Sequence, residues 1–337
     1  MNWRIVAFLA SIVPFIIIAI QFKVTPEDIF AVGLIPFIAA FAAMMCKLFL
    51  QGVKFHYIIN KFHGSLESLW RTIFVRIGSE FVTLTTPMFV GGEVVRIYWM
   101  NKRGVTTAKA SWIGIFEIVT EVLAAGLLSI TAGVFAILNG YVAIGVTVLA
   151  CATPIVGMWA GLFFLTAKRT FQVPKSLANF IVKIRKEKGQ HYLNKTNQWM
   201  DDICAMSREN LHAREAKKAF SVSLLISLAS WLVFGLSFML ISMGTENTIH
   251  AMESIFAVMA GNAIGNLPIT VGGSGLTEFG VWAYLNHLSD FKLELPQNSV
   301  EWDTIIAWRI ATYQMPIPIA WFLLMKMALR KYQKPIQ

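Results

Sequence analysis

Long apolar runs constrain this chain more than any other feature. A helix rises 1.5 Å per residue, so about 20 consecutive apolar residues cross the hydrocarbon core of a bilayer. Runs of that kind fall at 5–22, 29–50, 111–138, 141–167, 220–243 and 304–327. A further apolar stretch, 252–288, is interrupted in its middle by Pro and Gly. Only 14% of the 337 residues are charged and 56% are hydrophobic, whereas a soluble domain carries about a quarter charged residues. The apolar surplus needs lipid as a second solvent. The first run follows Arg4 in the manner of a signal peptide, but Ala19-Ile20-Gln21 offers no small-x-small cleavage site, so it reads as a retained span.

A net charge of +10 would suit nucleic acid. The Lys and Arg residues cluster between the apolar runs, however, where topology accounts for them, and no nucleic-acid partner is expected. Within 51–110, Lys54, Lys61, Arg71, Arg76, Arg96, Lys102, Arg103 and Lys109 face only Glu67, Glu80 and Glu93. The 167–219 connection holds twelve basic residues against five acidic ones, and the tail holds Lys326, Arg330, Lys331 and Lys334 without an acid. The 244–253 and 286–303 connections are acidic, and Lys23 faces Glu27 and Asp28. The positive-inside rule puts the basic set in the cytoplasm together with both termini, in the cytoplasmic (inner) membrane.

This assignment makes a demand on two segments. Region 252–288 must begin and end outside, and 66–103 must begin and end inside. Each is broken by residues that cannot continue a helix: Thr85-Thr86-Pro87-Met88-Phe89-Val90-Gly91-Gly92 and Asn266-Leu267-Pro268-Ile269-Thr270-Val271-Gly272-Gly273-Ser274-Gly275. Both breaks contain Pro-x-x-Val-Gly-Gly and are followed by a glutamate, Glu93 or Glu278. Irregular backbone survives at membrane depth only when buried in protein or lining a cavity. The expected fold is an all-α polytopic membrane protein, a single domain over 1–337. It has about six full spans plus two re-entrant broken-helix hairpins forming an inverted repeat. The basic connection at 167–219 carries Leu177, Phe180, Ile181 and Ile184 on one helical face, as an interfacial helix does.

Ionisable groups inside the membrane are costly, so they lead the search for a site. Glu93 and Arg96 share a helix face beside Gly91 and Gly92, whose amides at a half-helix N-terminus suit a phosphate. Glu278 opens the corresponding half-helix after Pro268, Gly272, Gly273 and Gly275, with Arg309 in the last span as its expected partner. Glu117 and Glu121, four apart, require either a proton or a cation between them; Arg76 or Arg96 could supply it. Tyr313 lies one turn from Arg309, before Pro316 and Pro318, while Trp302 and Trp321 read as interfacial anchors. Each feature also has a plainer reading, as a local ion pair or cap. The three cysteines form no metal spacing, the six histidines do not cluster, and no hydrolase, zincin or P-loop motif occurs, so neither metal nor cofactor is expected.

Four motifs resemble the flippase-like membrane family that includes the transmembrane domain of lysylphosphatidylglycerol synthase. They are Pro87 to Arg96, Phe116 to Glu121, Leu267 to Glu278 and Trp308 to Pro316, with Ile118 standing where the family has Arg and Glu121 where it has Asp. The resemblance implies lipid translocation, or export of lipid-linked glycans or hopanoids. Its expected partners are membrane lipids, an anionic phospholipid or a polyprenyl-linked substrate. Relatives that aminoacylate lipid carry a separate soluble domain, for which these spans leave no room, so that activity is not expected. A membrane transferase would need an acid/base or metal cluster, and only Asp201-Asp202 offers adjacent carboxylates. A proton-coupled solute carrier would use Glu117 and Glu121.

Overall fold

The computed structural model describes residues 31–86, 91–211, 213–245, 248–289 and 301–329, together with Glu27. The expected first span at 5–22, most of the basic tail, and Pro87 with the three residues after it lie outside the described residues. So do the side chains of Leu177, Phe180, Ile181 and Ile184.

Among the described residues the regular elements are helical: α1 (Leu34–Phe62), α2 (Leu69–Leu84), α3 (Gly92–Asn101), α4 (Thr107–Leu138), α5 (Val142–Thr166), α6 (Lys175–Leu211), α7 (Arg214–Gly235), α8 (Ser237–Ser242), α9 (Ala251–Gly265), α10 (Leu276–Leu285), α11 (Glu301–Arg309) and α12 (Pro316–Leu329). Among the described residues, four stretches are long and apolar enough to cross a membrane, namely α1, α4, α5 and the α7–α8 run Arg214–Ser242. The shortest has 25 residues and reaches about 37 Å. The apolar run at 111–138 falls within α4, and the run at 220–243 ends one residue past the α7–α8 stretch. Leu127, Phe135, Val146, Leu162 and Leu225 point outward from the four stretches, and so much exposed apolar surface is stable only against lipid. The protein is an all-α, multi-pass membrane protein.

α1 and α7–α8 run antiparallel over their full length. Lys61 pairs with Glu215 at one end, Lys54 reaches Ser227 further in, and Gly244 rests on the Val32 carbonyl at the other end. α4 and α5 form a second antiparallel pair, with α6 fastened to α4 by hydrogen bonds from Trp112 to Ser207 and from Trp199 to Ser111.

Two shorter pairs differ. α2 and α3 have 16 and 10 residues, and α9 and α10 have 15 and 10. The longest of these extends about 24 Å. Each pair folds back on itself as a helical hairpin: Arg96 reaches Ser79 in the first, and Gly280 touches Gly261 in the second.

The last run is continuous from Glu301 to Leu329 but for one π-helical turn, Ile310–Gln314. There the Met315 N–H bonds the Ile310 carbonyl five residues back, immediately before Pro316, which has no N–H to offer. α12 then packs on α2, where Gly78 admits the Leu324 backbone. Trp302 is not an interfacial anchor. It is 2% exposed and stacks on Trp282, because α11 packs against α10, whereas Trp321 is exposed as expected.

In the 63–68 connection Glu67 accepts from Arg71 at 2.8 Å and from Arg103 at 3.1 Å. Partial burial pushes its carboxyl upward, but the two guanidiniums outweigh that and hold it below the usual range.

Candidate functional site

The two hairpins start their second helices in the same way. Gly91 precedes α3 with φ 133° and Gly275 precedes α10 with φ 85°. The Gly91 N–H donates to Glu93 at 3.0 Å and the Gly275 N–H to Glu278 at 2.8 Å. The Gly91 amide is therefore not bare, in contrast to the expectation from sequence, and Glu278 takes the capping role that was its plainer reading, because each glutamate turns back over the start of its own helix. Each carboxylate then receives an arginine: Arg96 donates to Glu93 at 2.9 Å, and Arg309 donates to Glu278 at 2.9 Å. The expected Glu278–Arg309 partnership is present.

The breaks also meet one another. Arg309 donates a second hydrogen bond, 2.6 Å, to the Gly272 carbonyl, and its guanidinium lies 4.1 Å over the Tyr313 ring. The Tyr313 hydroxyl donates to the Leu84 carbonyl at 2.7 Å, at the end of α2. Gly272, at φ 57°, sits against both partners: a Cβ there would collide with the Tyr313 hydroxyl and stand 2.7 Å from the Leu84 oxygen. Gly273, also left-handed at φ 64°, lies within a Cβ's reach of the Gly265 carbonyl. Pro268 lies in the turn after α9, removed from these contacts. The π-helical turn thus carries Tyr313 to the point where the two hairpins touch.

Behind the first hairpin lies an ion network. Arg76 donates to Glu80 at 2.5 Å and to Glu117 at 3.0 Å, and contacts Glu121 at 3.3 Å. It is the cation that Glu117 and Glu121 require. Arg96 lies 3.1 Å from the other Glu117 oxygen, off the axis of a linear hydrogen bond. Lys54 reaches Glu121 at 3.4 Å and the Glu117 carbonyl at 3.3 Å. Gln51 bridges the two sides, donating to Glu121 at 2.8 Å and accepting from Arg76 at 2.7 Å. Glu117 and Lys54 are fully buried, while Glu121 keeps a fifth of its side chain open.

The sequence reading counted Lys54, Arg76, Arg96 and Glu80 among the connection charges, while pairing Arg96 with Glu93 and offering Arg76 or Arg96 to Glu117 and Glu121. They are buried because α1 continues twelve residues past Leu50 and α2 carries Arg76 and Glu80 on its inner face. The signal that would have found them is Lys47, Gln51 and Lys54, polar positions at i, i+4 and i+7 on one face of an apolar helix. Without the buried charges, the first connections retain Lys61, Arg71, Lys102, Arg103 and Lys109 against Glu67 and Glu93, still a basic excess.

Long apolar helices, two interrupted hairpins and a buried charge network define a multi-pass membrane protein built around a polar centre. The chain belongs to the lysylphosphatidylglycerol synthase transmembrane-region family, which matches residues 4–296, and so to a class of membrane proteins of lipid-related function. The match stops short of the last-helix motif at 308–316. No curated protein matches the chain.

Proposed function

We propose that this protein moves a phospholipid or lipid-linked headgroup across the bilayer. The observation that carries the reading is the meeting of the two breaks: Tyr313 and Arg309 hold Leu84 from the first hairpin and Gly272 from the second. In this reading α2–α3 enters from the cytoplasmic face and α9–α10 from the outer face of the inner membrane, as an inverted repeat whose tips touch at depth. Membership in a lipid-related family supports the choice of cargo.

The Glu93–Arg96 and Glu278–Arg309 pairs are gates in this mechanism. A headgroup phosphate takes the place of a carboxylate on arginine, so the exchange keeps an anion opposite each cation and costs little net charge. The amides at Gly91 and Gly275, released by their glutamates, join in holding the phosphate. Rocking of one hairpin against the other then alternates access. Purified protein reconstituted into vesicles with fluorescent phospholipid tests this. Glu278→Gln and Arg309→Ala are expected to slow lipid movement by about tenfold or more, since each removes a charge-assisted hydrogen bond. Wild-type rates in both variants would remove the assigned site.

A further inference from the structure

Lys47 is the residue that the network above leaves over. It lies on the same face of α1 as Gln51 and Lys54 and is only 6% exposed. Its ammonium sits 3.7 Å from the centroid of the Trp231 ring and 4.2 Å from that of Phe234. Ring faces attract a cation, but they accept none of its three N–H groups well. Among the described residues no carboxylate lies within ion-pair distance of it. Glu80 and Glu121 are the acidic groups whose fields reach it, and both are engaged: Glu80 by Arg76, and Glu121 by Gln51, Lys54 and Arg76. Lys47 is thus unpaired in contact.

Its depth is also particular. Lys47 is the fourteenth of the 29 residues of α1, which extends about 43 Å. The cation therefore stands halfway along a helix that crosses the bilayer. A buried ammonium without a hydrogen-bonding acceptor inside a spanning helix is expensive, and such groups are kept for function. α1 also packs against the π-helical turn that carries Tyr313, which ties this position to the meeting point of the two breaks.

We propose that Lys47 is the resident anion-binding residue of this protein, and that its ammonium receives a phosphate group in the resting state, before the exchange at the two gates, while Arg76, Arg96 and Arg309 are still paired. The inference rests on the transport reading for its choice of a lipid phosphate. A phosphodiester monoanion fills the open N–H positions that the aromatic rings leave. Trp231 and Phe234 fix the ammonium and exclude water from one side, which strengthens the charge-assisted bond. Free phosphate shares this chemistry, and the test separates the two sources.

The full chain in detergent is titrated with dioctanoyl-phosphatidylglycerol, dioctanoylglycerol and inorganic phosphate, as wild type and as Lys47→Arg, Lys47→Gln and Lys47→Met. Phosphatidylglycerol affinity is expected to fall about tenfold in the Gln and Met variants and to survive in Arg, as loss of one charge-assisted bond predicts. The melting temperature of the Gln and Met variants is expected to equal or exceed that of wild type, since they remove an unpaired buried charge; a merely structural cation–π role would lower it. Inorganic phosphate binding as tightly as the lipid, with the same dependence on Lys47, keeps the site and makes its ligand a free anion. Equal wild-type affinity for dioctanoylglycerol, which needs no variant to measure, overturns the proposal, as does unchanged affinity in both neutral variants. Vesicles of phosphatidylcholine with trace fluorescent phosphatidylglycerol separate the two readings. Binding that depends on Lys47 without any lipid movement sinks the transport reading alone. Unimpaired movement in Lys47→Gln sinks the Lys47 assignment alone.

Discussion

Glu117 has two arginines and no exposure, and that combination decides what its loss would cost. A buried ion pair replaced whole by apolar residues is often neutral, whereas removal of one partner leaves an uncompensated charge. Glu117→Gln strips the shared carboxylate from Arg76 and Arg96 together. The expected loss is about 3 kcal/mol, read as a clear fall in the melting temperature of the detergent-solubilised protein. The contrast with Lys47 is the point of the measurement. Of two buried charges on neighbouring helices, the loss of one is expected to lower stability and the loss of the other is not, because one is paired in contact and the other is not. At this scale the sequence announced Glu117, Glu121, Glu278 and Arg309, since a charge inside an apolar run is conspicuous. It hid Gln51 and Lys54, because α1 outruns its apolar segment and its polar stripe looks like the start of a loop, whereas Lys47 stands inside the 29–50 run, one turn before that stripe.

Among the elements, the breaks were legible and their closure was not. Pro-x-x-Val-Gly-Gly marks where a helix must stop, but only the fold shows that the amides at the restart are covered by Glu93 and Glu278. The π-helical turn left no local mark beyond Pro316, and its consequence, an inward Tyr313, depends on packing between helices distant in sequence. Gly272 is the place to test how tightly the hairpins are joined. Gly272→Ala forces a β-carbon into the Tyr313 hydroxyl at a left-handed φ of 57°. Strain and overpacking together are expected to cost about 2 kcal/mol. In the Tyr313→Phe background the hydroxyl is gone, so the double variant should lose less stability than the two single losses added together. Additive losses would mean that the contact carries no coupling between the breaks.

At the scale of the molecule, the buried charges join helices and the exposed ones lie in or beside the connections. The central network joins α1, α2, α3 and α4, and the Tyr313 contact adds the final helix to it. That last bond closes a separation of 229 residues, and α12 lies along α2 where Gly78 admits Leu324. A ribosome delivers the front of this chain to the translocon well before its end exists. Until the last helix is inserted, the Leu84 carbonyl lacks its phenol, the α2 groove around Gly78 stands open, and Glu278 has no guanidinium opposite it. The nascent protein is therefore born with a gap at its middle that only its final segment can close. Chains that stop early carry that gap permanently, exposed to the proteases that survey the membrane.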